Sequence, residues 1–383
     1  GYGYTEKLSL ESFDTMLEKA KENAKLIESD EGTELENYPE IEKKLNIYNP
    51  ELEKVSVQTK IERAKELERA AREYDKKIVN VPYAYVADST EITKVANSKG
   101  MDKEYKFNIC YGFVMALAKG DEHVKSGGYY IIDRDFAKID GKEIGSEAAR
   151  RAISLLGAKE IKSGEYPVIF TNEMAATILS TFSNIFSAKA VQEGQSLFRG
   201  KLGTEVANPI VSILDDGLIE IGFATKPFDD EGYPSQTTVL VSNGVLKNYL
   251  HNTITARRDN TRPTGNASRS YKGTVGVMPS NLFIQNGTVS AQELYKQVPR
   301  CVEIVDLSGM HNGCNPISGD FSLGAQGFYY ENGECKYPIH NFTISGNFIQ
   351  LLKNIVGIGD DLKFFQPSTG SPTILVESLS IGG

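Results

Sequence analysis

The pairs Asn243-Gly244, Asn286-Gly287 and Asn332-Gly333 punctuate the C-terminal half of this chain. They constrain its fold more than any other feature. Asparagine and glycine enter positive φ at least cost, so a consecutive pair reads as the two-residue turn of a β-hairpin. Between the pairs lie short β-rich runs separated by further glycines, with two main helical interruptions, near Asn172–Phe186 and Ser290–Lys296. The pattern predicts a mostly antiparallel, barrel-like domain over residues 158–383, and no repeat of fixed period runs through it.

Residues 1–157 follow another rhythm. From residue 9 to 28, Phe13, Met16, Leu17, Ala20, Ala24 and Ile27 recur at three- and four-residue steps, with Ser9 as a cap, which predicts an amphipathic helix. A polar connector, Ser29–Pro50, leads to a second helix carrying Ile61, Ala64, Leu67, Ala71 and Tyr74. Four β-rich runs come next: Ile78–Val86, Glu91–Asn97, Lys106–Ala118 and Gly128–Asp135. Turn chemistry at Asp88-Ser89 and Lys99-Gly100 predicts an antiparallel meander. A helix Ser146–Leu156, stopped by Gly157, hands over to the second domain. The fold class expected is therefore α+β: an N-terminal antiparallel sheet with packed helices, then the β barrel-like domain.

The chain has 383 residues, 40% hydrophobic and 24% charged, enough for two domains with separate cores. Its formal net charge of -9 argues against a broad nucleic-acid footprint, because phosphate binding needs a basic field. No apolar run approaches a bilayer span and no signal-like segment opens the chain, so a cytoplasmic protein with no membrane partner is expected. Cys110, Cys301, Cys314 and Cys335 are far apart and form no Cys-x-x-Cys pair; reduced thiols are the simplest reading. His311 and Cys314 are the closest pair of soft ligands, but a structural zinc needs four, and the sequence offers no second close pair.

Several blocks carry a family likeness: Phe228-Asp-Asp-Glu-Gly232, Thr264-Gly-Asn-Ala267, Ser318-Gly-Asp-Phe-Ser322, Gly324-Ala-Gln-Gly-Phe328, Ile344-Ser-Gly-Asn-Phe348 and the opening Gly-Tyr-Gly-Tyr-Thr. Each alone is a glycine-rich turn. In this order and spacing they resemble the TldD/PmbA family, once described as modulators of DNA gyrase and regarded as peptide-processing proteases. The resemblance runs from about Gly1 to Gly383 and implies that a further N-terminal α/β stretch normally precedes the opening block. In the TldD branch the helix near residue 179 carries His-Glu-x-x-x-His, and a cysteine near the C-terminus completes the zinc shell. Here Leu179 and Asn184 stand near the expected ligand positions, Glu173 is off register, and Phe364–Pro372 contains no cysteine. Neither an isobutyl group nor an amide replaces a neutral imidazole. The resemblance thus points to the PmbA/TldE branch, with no metal and no cofactor in this chain and zinc expected in a TldD-like partner.

Substrate-binding candidates come from the polar blocks. Asp229, Asp230 and Glu231 form the densest acidic cluster of the second half: a carboxylate set able to hold a peptide amine or a basic side chain, or a turn whose carboxylates accept backbone N–H groups. Arg262, Asn266 and Arg269 lie in a polar segment, Thr261–Arg269, read as flexible: its guanidinium groups offer bidentate forks for a peptide carboxylate, or it is an exposed loop ordered only by a partner. Asp320 sits among the hydroxyls of Ser318 and Ser322 with no histidine inside that motif to activate either serine, and the catalytic residues are unknown. Val356-Gly-Ile-Gly-Asp360 lacks the third glycine of a dinucleotide loop.

The function expected is a TldE/PmbA-like subunit of a cytosolic TldD/TldE-type metallopeptidase complex, acting in peptide maturation and proteolysis. Its partners would be a TldD-like subunit in a heterodimer, or a second copy in a homodimer, and an unfolded peptide. The alternatives are a self-sufficient peptidase with an unrecognised site and a DNA gyrase-associated modulator.

Overall fold

The computed structural model describes residues 1–26, 35–120, 123–365 and 368–383. Helix α1 (Leu10–Ala24) starts at Ser9, whose hydroxyl accepts the Ser12 N–H. Ile27 and the segment 29–34 lie outside the described residues. The apolar stripe of α1 is not a core face: Phe13 is 53% and Leu17 41% exposed. Helix α2 (Val57–Glu73) is capped by Ser56 and buries Leu67 and Ala71.

An antiparallel sheet follows, made of β1 (Ile78–Ala96), β2 (Asp102–Lys119) and β3 (Val124–Asp133), in that order. The Lys99-Gly100 turn forms, with Gly100 at φ 89°. The turn expected at Asp88-Ser89 does not. Asp88 pairs with Cys110 and Ser89 with Ile109 inside one continuous strand. An unbroken partner strand supplies ladder hydrogen bonds along the whole length, and Lys60 neutralises Asp88, so local turn propensity loses to pairing. Helix α3 (Gly141–Ser154) begins earlier than expected, because Asp140 accepts the N–H groups of Lys142 and Glu143. Gly157, at φ 73°, follows its end. Helices α2 and α3 cover one face of the sheet and enclose a core of Leu67, Cys110, Val114, Ile139, Ile144 and Ala148.

The second core is built on a closed ring of strands. Strand β4 (Gly164–Phe170) runs parallel to Arg300–Ser308 and antiparallel to Ile374–Gly382. Arg300–Ser308 pairs with Asp320–Glu331, which pairs with Glu334–Asn347. Glu334–Asn347 then meets Ile374–Gly382 through Thr343–Ser345 and shuts a five-stranded barrel. A neighbouring six-stranded sheet contains Ile213–Asp216, Thr237–Ser242, Leu282–Ile284 and the strands Lys363–Phe365 and Thr369–Ser371. Phe170, Phe182, Phe186, Phe198 and Phe348 are fully buried, with Phe182 stacked on Phe348 at 4.6 Å. The architecture is the α+β class expected, barrel included.

Two of the three Asn-Gly pairs make hairpins. Asn243 and Gly244 have φ 48° and 80°, and Asn332 and Gly333 φ 52° and 79°. The third does not. Gly287 donates its N–H to the Gly359 carbonyl at 2.8 Å, and a Cβ there would meet the Ile358 carbonyl oxygen at 2.0 Å. Its glycine serves close backbone approach instead of a turn.

Candidate functional site

The acidic block and the Thr264–Ala267 block are sewn to each other. Asp229 is fully buried. Its carboxylate accepts the N–H groups of Glu231, Tyr233 and Ala267, each at 3.0 Å. Asp230 accepts the Arg269 N–H at 2.6 Å and lies 3.4 Å from the Lys226 ammonium. Glu231 accepts both the N–H and the hydroxyl of Thr253, at 2.8 and 2.6 Å, where a short helix, Thr253–Arg258, begins. Burial pushes the Asp229 carboxyl up to about 6 despite those donors.

Asn266 lies inside the fold and not on a flexible loop. It is 2% exposed, and its Nδ2 donates to Asp215 at 2.7 Å and to the Met278 carbonyl at 3.1 Å. Its Oδ1 accepts the Thr264 hydroxyl at 2.7 Å. Asp215 also accepts the Ser280 N–H at 2.8 Å, and complete burial raises its carboxyl to about 7. Segment Thr261–Arg269 is therefore anchored at Asn266 and Ala267, while Arg262 and Arg269 are exposed. The anchoring residues Asp215 and Ser280 are distant in sequence, which is why the segment read as flexible. Asp320 stands elsewhere. It is exposed, its carboxyl is held low by hydrogen bonds from Asn347 and Ser318, and it lines a shallow depression with Asn312, Cys314 and Ser322.

The structure adds a surface that the sequence reading did not single out. Along β2 the buried positions Asn108, Cys110, Gly112, Val114, Ala116 and Ala118 alternate with half-buried Tyr105, Phe107, Ile109, Tyr111, Phe113, Met115 and Leu117. The first set contributes to the core under the helices, so the second, by strand alternation, forms the opposite face of the sheet. Cross-strand neighbours add Tyr85, with its ring 5.2 Å from Phe113 and 5.8 Å from Tyr111. This aromatic face looks across to the barrel-bearing half. A cavity of about 250 Å³ lies between Glu91, Tyr105 and Phe107 on the sheet and Phe223–Lys226, Gly265–Ser268 and Met278–Ser280 opposite. A second, of about 70 Å³, is lined by Tyr130, Ile132, Glu173, Phe223 and Lys363–Phe365. Phe223 lines both, with the larger lobe on one side of it and the smaller on the other. Arg134 bridges the two walls between the cavities: the guanidinium donates to the Gly222 carbonyl at 3.1 Å and lies 5.5 Å from the Phe107 ring centre. The alternation over residues 105–117 was the available signal.

Helix α4 (Asn172–Thr181) borders the smaller lobe. Thr171 caps it, and Met174, Ala175, Ile178 and Leu179 face the core. Glu173 sits in its first turn, 2.9 Å from Arg151. The helix packs against Lys363–Phe365 and Thr369–Ser371, so the helix and the C-terminal segment named by the resemblance do converge; Gln366 and Pro367 lie outside the described residues. Leu179 is 1% exposed within the apolar core, and Asn184 is exposed on a short turn, Ser183–Phe186. Among the described residues no three His, Cys, Asp or Glu side chains are grouped to hold a metal ion. His251 is buried with an unpartnered Nδ1, His123 and His340 touch with ring centres 5.0 Å apart, and His311 lies on a short helix, Met310–Gly313. Among the described residues no helix is long and apolar enough to cross a membrane.

Residues 163–383 match the family model described as the PmbA/TldA metallopeptidase C-terminal domain, and residues 50–156 match the central domain of the same family. Both models describe one metallopeptidase family, and together they cover most of the chain. The chain belongs to the PmbA/TldD family. It is 29% identical over 331 residues to the metalloprotease PmbA homolog of Haemophilus influenzae, covering 86% of this chain and 71% of that protein. A Thermotoga maritima crystal structure, named for modulation of a DNA gyrase, is 37% identical with a TM-score of 0.90, over 96% of this chain and 83% of that one. TldE from Thermococcus kodakarensis is 25% identical with a TM-score of 0.90, over 99% and 86%.

Proposed function

We propose that this chain is a TldE/PmbA-like, non-catalytic subunit of a TldD/TldE-type metallopeptidase complex in the cytosol, acting in peptide maturation and proteolysis. A TldD-like partner, or in a homodimer a second copy, completes the assembly, and zinc belongs to the TldD-like subunit. The observation that carries this reading is Leu179: the helix position where the resemblance calls for a zinc ligand holds an aliphatic side chain sealed in the core, and a hydrocarbon offers a metal no lone pair. This chain shapes the chamber and holds unfolded peptide along the aromatic cleft. Asp229, Asp230, Glu231 and Asn266 brace the wall opposite the sheet, while the exposed guanidinium groups of Arg262 and Arg269 engage the peptide.

Purification from the native cell tests the reading, with metal analysis of each subunit and a peptide-turnover assay. The expected result is association with a zinc-bearing TldD-like chain, no stoichiometric zinc here and no turnover by this chain alone. Stoichiometric zinc with turnover by the isolated chain would make it a self-sufficient peptidase. Salt-dependent DNA binding would favour the gyrase-associated alternative.

A further inference from the structure

Asn281 gathers both ends of one loop, residues 217–223. It is fully buried. Its Nδ2 donates to the Asp216 carbonyl at 2.7 Å and to the Thr225 hydroxyl at 3.1 Å, and its Oδ1 accepts the Ala224 N–H at 3.0 Å and the Ser368 hydroxyl. One amide with its two donors and two acceptor sites filled therefore pins the base of the loop to the barrel-bearing half. Gly222 lies directly on that amide: a Cβ there would meet the Asn281 Oδ1 at 2.2 Å, so glycine is what lets the backbone come so close.

The tip of the loop is held from the other half, by two cations. Lys43 donates to the Leu218 carbonyl at 2.8 Å. Arg134, immediately after β3, donates to the Gly222 carbonyl at 3.1 Å and reaches the Glu220 carbonyl at 3.5 Å. The two cations rise from one support. Asn49 donates to the Arg134 carbonyl at 2.8 Å and exchanges hydrogen bonds with Asn108 of β2, which fixes the connector that carries Lys43 to the sheet.

Base and tip differ in how firmly they are held. The base is buried around Asn281, whereas at the tip Lys43 and Glu220 are exposed and Ile221 is 59% exposed. Water competes for the tip carbonyls and not for the base, so the tip opens first. Phe223 lines both cavities, and Arg134 crosses between the walls beside it. The seated tip therefore keeps the cavities apart.

We propose that residues 217–223 form a latch across the joint between the two halves, its base fixed by Asn281 and its tip locked by Arg134 and Lys43, and that release of the tip removes the partition between the cavities. The latch follows from the geometry of the joint and does not rest on the subunit reading above.

The chain contains no tryptophan, so Ile221→Trp places a single reporter at the tip. Time-resolved fluorescence anisotropy then separates nanosecond motion of the tip from tumbling of the whole molecule. With both cations present, tumbling should dominate the decay. Arg134→Met removes the donors and keeps an apolar stem of similar reach; it should raise the open-tip population roughly tenfold, the weight of a charge-assisted hydrogen bond. Adding Lys43→Met should make the fast component dominant, and Arg134→Lys, which retains a cationic donor, should restore a mostly seated tip. Melting temperatures followed by circular dichroism should stay within roughly 2 °C of the reporter protein, because the base is untouched. A fast component that dominates with both cations in place, a tip that stays rigid in the double variant, or melting that falls beyond that range would overturn the latch: the tip would be unheld, held by other groups, or part of a staple for the whole fold.

Discussion

Replacing Asp229 by alanine should damage folding far more than its place in a surface-type acidic run suggests. The carboxylate holds three backbone N–H groups, those of Glu231, Tyr233 and Ala267, and it is fully buried. Each donor left unsatisfied costs about 1–3 kcal/mol, a gross loss of roughly 3–9 kcal/mol. Against this stands the cost of keeping the carboxylate ionised inside the fold. Its rise from 3.8 to about 6 corresponds to about 3 kcal/mol at ~1.4 kcal/mol per pH unit, and deletion removes that cost. The difference is a loss of roughly 0–6 kcal/mol, about 3 kcal/mol at its midpoint, or on the order of 6–12 °C in the transition of the barrel-bearing half. Asp229→Asn should fall between parent and alanine variant, since one amide oxygen can still serve Glu231 and Tyr233 while the amide nitrogen confronts the Ala267 N–H. Urea and thermal unfolding followed by circular dichroism measure both. An alanine variant within about 0.5 kcal/mol of the parent, the range of ordinary surface substitutions, would refute the clamp.

Three other outcomes follow from the same geometry. Asp215 has a folded pKa raised from 3.8 to about 7, so its contribution is fully present below pH 3.8 and is lost as pH rises through 7; between pH 5.5 and 8 the parent should lose about 2 kcal/mol from this group, and Asp215→Asn should flatten that part of a pH–stability curve from denaturant titrations. Replacing Arg262 and Arg269 together by alanine should leave the melting temperature nearly unchanged, because both are exposed, but lower peptide turnover by the reconstituted complex; intact turnover with early melting would make the segment purely structural. Leu179→Ala should cost about 2–5 kcal/mol by calorimetry, the usual range for emptying a buried leucine site, and a neutral result would contradict its place in the core.

Much of the fold was legible in local chemistry. Asn243-Gly244 and Asn332-Gly333 specify their hairpins because positive φ is a property of the residues themselves. Ser9, Ser56 and Asp140 cap helices through side chains that reach only two or three residues along the chain. The ordered blocks from Phe228 to Phe348 carried the family before any coordinate was needed.

What tertiary structure decided were the matters settled by partners remote in sequence. Asp88-Ser89 has turn chemistry, yet pairing with Cys110 and Ile109 carries β1 straight through it. Asn286-Gly287 has hairpin chemistry, yet Gly287 is there so that the Ile358 backbone can approach. Asn266 read as an accessible polar group and became an interior anchor, because Asp215 and Met278 converge on it; Asp229 accepts backbone N–H groups, as the turn reading allowed, but one of them comes from Ala267, remote in sequence. The alternation of Tyr105, Phe107, Ile109, Tyr111 and Phe113 identifies two faces of a strand. Which of them meets helices and which lines a cleft depends on how the sheet is docked, and that is fixed by contacts among residues hundreds of positions apart, beyond the reach of any local propensity.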